Sequence, residues 1–213
     1  MRVYFIRHGQ SVANIDELEQ GPEEPLSEKG KEQAQFVAKR LKDIPITRII
    51  ASPHLRTKQT AAVVGEALKL PIEYFDLFVE RRPPSDMLGK PGGSPEYMAI
   101  RKKWEEERRK DPSWRYKDEE TFTEIRERAV SALHYLIAEN ADHALVVTHA
   151  GFMKVLLACM TFGEDVAYAT YVDVFNTFRT RNTGVTIADY TVDSNPFLGG
   201  WKVIVWNDHA HLP

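Results

Sequence analysis

Short apolar runs, each ended by a polar turn and followed by a helix-period pattern, recur along this 213-residue chain. Val3-Tyr4-Phe5-Ile6 is the first, residues 47–51 (Thr-Arg-Ile-Ile-Ala) the second, and Ala144-Leu145-Val146-Val147 the third. Their length and their β-branched and aromatic content read as buried strands. Residues 71–75 offer one more, shorter strand. Between these runs Ser27 is placed to cap a helix reaching about Asp43, with Ala34, Val37, Ala38 and Leu41 on one stripe. Ser52-Pro53 reads as N-cap and first residue of a helix carrying Arg56, Thr60, Ala61, Val64 and Leu68. Thr121-Phe122-Thr123-Glu124 fits a capping box opening a helix to about Asn140. Residues 152–160 form an apolar helix pattern. Such alternation is satisfied by a mostly parallel sheet with helices on both faces, so the expected fold class is α/β, a three-layer α/β/α sandwich.

Residues 81–120 break the alternation. Pro83-Pro84 and Pro91-Gly92-Gly93-Ser94-Pro95 are loop and turn chemistry, and a very polar helix, rich in Arg, Lys and Glu over 101–110, follows. The expectation is one domain over 1–213 with a small helical cap inserted at about 81–120. The charged stretch reads first as a solvated helix face, and second as a source of Arg or Lys for an anionic substrate. Trp104, Trp114 and Tyr116 are placed to pack this cap onto the sheet domain or to line a pocket beneath it. Residues 164–181 are expected to be helical. Residues 184–192 and 201–206 read as two strands joined through Asn195-Pro196 and Gly199-Gly200.

The net charge of -3 supplies no global basic field, so nucleic-acid binding is not expected. No run approaches a membrane span, and four apolar residues after Arg2 are too few for the core of a secretion signal. The single cysteine, Cys159, lies in an apolar stretch, reads as core and permits no intrachain disulfide. A cytoplasmic location is therefore expected.

Three strand-to-helix junctions carry basic residues: Arg7-His8, Arg56 and His149. In a parallel sheet such junctions share one edge, where ligands bind and helix N-termini present free N–H groups to anions. Taken singly, each has an ordinary reading, as a surface dipeptide, a solvated helix residue or a packed histidine. Their occurrence at equivalent positions points to a phosphoryl group, whose charge spreads over several oxygens. His209-Ala210-His211 places two more histidines on one face of a strand, but no carboxylate cluster accompanies them, so no metal site is expected.

Several segments together resemble the histidine phosphatase superfamily, in its phosphoglycerate-mutase-like branch. They are Arg7-His8-Gly9-Gln10-Ser11 with Asn14, Leu26-Ser27-Glu28-Lys29-Gly30, and Ser52-Pro53-His54-Leu55-Arg56-Thr57-Lys58-Gln59-Thr60-Ala61. Thr148-His149-Ala150-Gly151, Asn182-Thr183-Gly184-Val185 and the ending Asn207-Asp208-His209-Ala210-His211-Leu212 complete the set. The likeness covers nearly the whole chain outside residues 83–120.

The resemblance implies a phosphatase that hydrolyses a phosphate monoester in two steps. His8 is the nucleophile and forms a phosphohistidine; Arg7, Asn14, Arg56 and His149 hold the phosphoryl oxygens. Glu80 is the general acid, then the base. It implies no cofactor, no metal, and a small phosphorylated substrate as partner, and leaves a homodimer open. The chain departs from the family's mutases after Glu80, where Arg82-Pro83-Pro84 replaces their aromatic-glycine continuation, and in having Ala150 where glycine is common. The short insertion and tail favour a phosphatase. The alternatives are phosphoglycerate-mutase-type phosphoryl transfer and non-catalytic phospho-ligand binding.

Overall fold

A computed structural model describes residues 1–193 and 199–213. The strands are β1 (Arg2–Arg7), β2 (Arg48–Ala51), β3 (Ile72–Tyr74), β4 (Ala144–Thr148), β5 (Val185–Thr191) and β6 (Gly200–Asp208). They form one sheet in the order β3-β2-β4-β1-β5-β6. The pairs β3/β2, β2/β4 and β4/β1 are parallel; β5 runs antiparallel to both β1 and β6. The C-terminal strands are those expected, while the Asn195-Pro196 turn lies outside the described residues.

Side-chain alternation along β1 sorts the core into two layers. Val3 and Phe5 face a cluster with Phe122, Ile125, Phe152 and Val155, from α5 (Phe122–Ala138) and α6 (Ala150–Phe162). Tyr4 and Ile6 face the opposite cluster, with Val37, Leu41, Ala61 and Val64 from α2 (Glu28–Leu41) and α3 (Leu55–Leu68). The same alternation sends Ile50 to one layer and Ile49 to the other. This is the three-layer α/β/α arrangement. It also includes a one-turn helix α1 (Val12–Ile15), which the sequence pattern does not announce, and α7 (Tyr168–Thr177), which it does.

Local chemistry explains most boundaries. The Ser27 side chain accepts the Gly30 N–H and starts α2, and Thr121 and Glu124 form the expected capping box of α5. Ser94 caps α4 (Pro95–Lys110), with Pro95 in its first turn. Ser52-Pro53 behaves otherwise. The cap of α3 is His54, two residues later, and Ser52 stays at the end of β2, where its N–H bonds Val147 O at 3.0 Å. His209 and His211 lie beyond β6, not within a strand. His211 is held by Thr183 Oγ1 at 3.0 Å and Arg40 at 3.3 Å.

The edge at the C-terminal ends of β1, β2 and β4 is drawn tight by backbone contacts. The N–H of His8 bonds Thr148 O at 3.0 Å, joining two junctions directly. The start of α2 presses on the loop after β1: a Cβ on Gly30 would lie 2.0 Å from Gln10 O, and one on Gly9 would lie 2.4 Å from Gly30 O. Only glycine permits that approach.

Candidate active site

Arg7 ends β1 and His8 follows it; Arg56 lies in the first turn of α3; His149 is the N-cap residue of α6. His8, Arg56 and His149 are 3%, 1% and 0% exposed, so three basic side chains from different elements meet out of water. The His8 and His149 rings meet edge-on with centroids 5.2 Å apart.

Hydrogen bonding fixes the state of His8. Its Nδ1 lies 2.6 Å from Gly9 O, and a carbonyl can only accept, so Nδ1 carries the proton. Nε2 is left with its lone pair and accepts from Arg56 Nε at 3.2 Å. Burial, then Arg56 and Arg7, hold the His8 pKa well below its ordinary value, while Gly9 O opposes them. The ring is therefore neutral, and its Nε2 pair faces cations, accepting from Arg56.

His149 is held by a hydroxyl. Ser52 Oγ accepts the His54 N–H at 3.3 Å and lies 2.8 Å from His149 Nε2. The other ring nitrogen, Nδ1, is buried without a protein partner. Burial, then Arg56, keeps this imidazole well below the usual histidine range.

The two guanidiniums are braced by backbone oxygens. Arg7 donates to Thr180 O at 2.9 Å and Arg56 to Gly21 O at 2.7 Å. Burial lowers Arg7 to about 10, with Glu80 opposing and Arg56 adding to the fall. Its Nε is buried without a partner. Burial likewise lowers Arg56. An arriving dianion relieves both the crowding of positive charge and the unmet donors.

Asn14 lies beside Arg7, and its Oδ1 accepts from Arg7 at 3.5 Å, Ser11 N at 3.1 Å and Asn182 at 3.4 Å. The donor role expected of Asn14 falls to its Nδ2. Glu80 follows β3 and a 3-10 turn over Asp76–Phe78. Its carboxylate accepts from Gly151 N at 2.9 Å, Phe152 N at 2.8 Å and Arg81 N at 2.9 Å, not from a guanidinium. It thus sits at the N-terminus of α6 and lines the same cleft of about 170 Å³ as Arg7, His8 and Arg56.

The family model of the histidine phosphatase superfamily (branch 1) matches residues 3–208. The chain belongs to this superfamily. A probable phosphoglycerate mutase, GpmB, of Salmonella arizonae is 30% identical over 221 residues, covering 100% of this chain and 95% of the relative. An uncharacterized phosphatase, PhoE, of Bacillus subtilis is 29% identical over 212 residues, 99% of this chain and 96% of the relative. The fold matches a mycobacterial glucosyl-3-phosphoglycerate phosphatase in complex with VO3 at TM-score 0.79 and 24% identity, over 98% of this chain and 99% of the other. It also matches a putative alpha-ribazole-5'-P phosphatase from Escherichia coli at TM-score 0.78 and 22% identity, over 98% and 96%.

In this histidine phosphatase fold the six residues expected at the site all lie around one sheet edge. Sequence reasoning assigned no role to Ser52 as the partner of His149. Nor did it assign one to Thr60, whose Oγ1 accepts Gly9 N at 3.0 Å, or to Asn182, which donates to His8 O at 2.9 Å. The signal for Ser52 was its place directly after a buried strand; Asn182 gave none beyond the family likeness. Among the described residues, no cluster of three His, Cys, Asp or Glu side chains is arranged to hold a metal ion, and no helix is long and apolar enough to cross a membrane.

Proposed function

We propose that this chain is a phosphatase hydrolysing a phosphate monoester through a phosphohistidine on His8. The observation that carries the proposal is the Nδ1-protonated, neutral state of His8, which leaves the Nε2 pair beside Arg56 and within reach of the cleft.

In the first step the Nε2 pair attacks phosphorus and the P–O bond to the leaving group breaks, its electrons passing to the leaving oxygen. That oxygen takes a proton from Glu80. In the second, water gives a proton to Glu80 and its oxygen attacks phosphorus; the P–N bond breaks and its pair returns to Nε2. Covalent capture divides one hard displacement into two easier ones. Arg7, Arg56 and His149 hold the phosphoryl oxygens, where charge stabilisation and positioning supply most of the rate. Asn14 adds a neutral donor. Two guanidiniums balance the phosphate charge, so the reading needs no metal, and the substrate is a small phosphate ester.

Phosphate release from a panel of esters, with chelator present, tests this. His8→Asn is expected to lose at least about 10³-fold in kcat/KM. A His8→Asn variant as fast as the parent contradicts the mechanism. The mutase name carried by relatives favours one other outcome: phosphoryl transfer between two positions of one substrate, faster than phosphate release.

A further inference from the structure

Beside the phosphate cleft lies a second cavity of about 250 Å³, sharing Glu19, Glu80 and Ala150 with it. Glu80, the proposed acid for the leaving oxygen, lies on the wall the two cavities share. Its walls come from the cap helix α4 and from α6 and α7, including Trp104, Tyr97, Tyr171 and Phe175.

The balance of donors and acceptors in these walls is uneven. Each acid lining them is already engaged. Glu80 bonds three backbone amides, Glu19 accepts the Tyr97 hydroxyl, and Glu105 lies 3.8 Å from Arg101. Arg108 is neutralised by buried Glu119 at 2.9 Å. Lys154 and Arg81 have no such direct partner: among the described residues no carboxylate oxygen lies within ion-pair distance of either, and Glu19 and Glu119 act on Arg81 only through space. Lys154 Nζ donates to Phe175 O at 2.7 Å and lies 4.0 Å from the Phe175 ring centroid; Arg81 stacks over Trp104 at 5.4 Å. Trp104 Nε1 is buried with no partner. The cavity therefore offers two cations with no carboxylate paired to them, Lys154 meeting only a neutral carbonyl and a ring, and one indole N–H with no acceptor. A buried ammonium without a counter-charge is costly unless a ligand completes it.

We propose that Lys154, projecting from α6 into this cavity, reads a second anionic group, carboxylate or phosphate, on the leaving-group side of the substrate. The inference rests on the phosphatase reading for which side of the phosphorus faces the cavity. Burial, with Arg179 and Arg7 adding to it and Glu80 opposing, lowers Lys154 to about 8, so it is still charged at neutral pH.

Matched esters test it. 3-Phosphoglycerate is compared with glycerol 3-phosphate, which has a hydroxymethyl in place of the carboxylate. 1,3-Propanediol bisphosphate is compared with its monophosphate, which separates a carboxylate from a phosphate as the second anion. Turnover is measured in the parent, Lys154→Gln and Lys154→Arg, and affinity by calorimetry with the same three side chains in a His8→Asn background. Gln keeps a donor for Phe175 O without charge. At least one acidic ester is expected to be preferred to its neutral match by 10-fold or more. In Lys154→Gln that ratio falls toward one, chiefly through KM, and Lys154→Arg restores it. Absence of the preference in the parent, or an equal loss on both members of a pair, overturns the proposal. Calorimetry reports this even without turnover, so failure of this subsite and failure of the His8 chemistry are separate results.

Discussion

The proton on His8 Nδ1 determines where the lone pair of that ring points, and a single backbone oxygen, Gly9 O, places it there. Ser52 holds the His149 ring through Nε2. Ser52→Ala removes that hydroxyl and leaves the His149 ring without its side-chain partner, so about a 10-fold fall in kcat/KM is expected, of the size seen when a supporting partner of a site histidine is lost. Ser52→Thr keeps the hydroxyl and recovers activity; equal rates in parent, Ala and Thr enzymes would show that the contact does not position His149. Glu80→Gln keeps an oxygen acceptor for one of the two α6 amides but has no carboxylic proton to give. It is expected to lower kcat by about 10²–10⁴-fold for esters with poor leaving groups, and much less for p-nitrophenyl phosphate, whose leaving oxygen needs no proton. A uniform effect across leaving groups would remove Glu80 from the acid role.

At the scale of elements, the site depends on how closely α2 approaches the loop after β1. Gly30→Ala puts a Cβ against Gln10 O, a backbone atom that cannot rotate away. A loss on the order of 1–3 kcal/mol is expected in urea unfolding, together with lower activity as the His8 loop shifts. Gly21→Ala, where a Cβ meets nothing within 4 Å, serves as the control. The strands and the long helices were legible because buried runs and one-sided stripes leave periodic marks. The site was legible only in part. Ser52-Pro53 looks like a helix start because cap chemistry and a strand-end hydroxyl use the same residues; the structure gives the cap to His54 and the hydroxyl to His149. The one-turn α1 is too short to show a period. Glu80 follows a three-residue edge strand and a 3-10 turn, so only the family likeness pointed to it. Lys154 was invisible because it interrupts an otherwise apolar helix whose packing partners the sequence does not name.

For the whole molecule, the buried histidines set the response to acid. Burial holds His8 and His149 well below 6.5, and lowers both His54 and His211 to about 4. Because these folded-state values are depressed, the unfolded chain binds protons first as pH falls through about 6.5. Stability is therefore full above that pH and declines below it, by up to about 1.4 kcal/mol per pH unit for each fully buried histidine. Urea midpoints should fall steadily from pH 7 to pH 5; a flat profile would mean the rings are protonated in the fold. The neutral state of His8 is also what the chemistry needs, and it predicts that kcat/KM keeps its full value as pH is lowered through 6.5. The central claim is that His8 Nε2 takes the phosphoryl group. Rapid quenching of the enzyme with a substrate labelled in its phosphate, followed by peptide mapping, tests it most directly. The account predicts an acid-labile, base-stable label on His8 that forms and decays at the rate of turnover and is absent in His8→Asn; turnover with no label on His8, or with label on another residue, would contradict it.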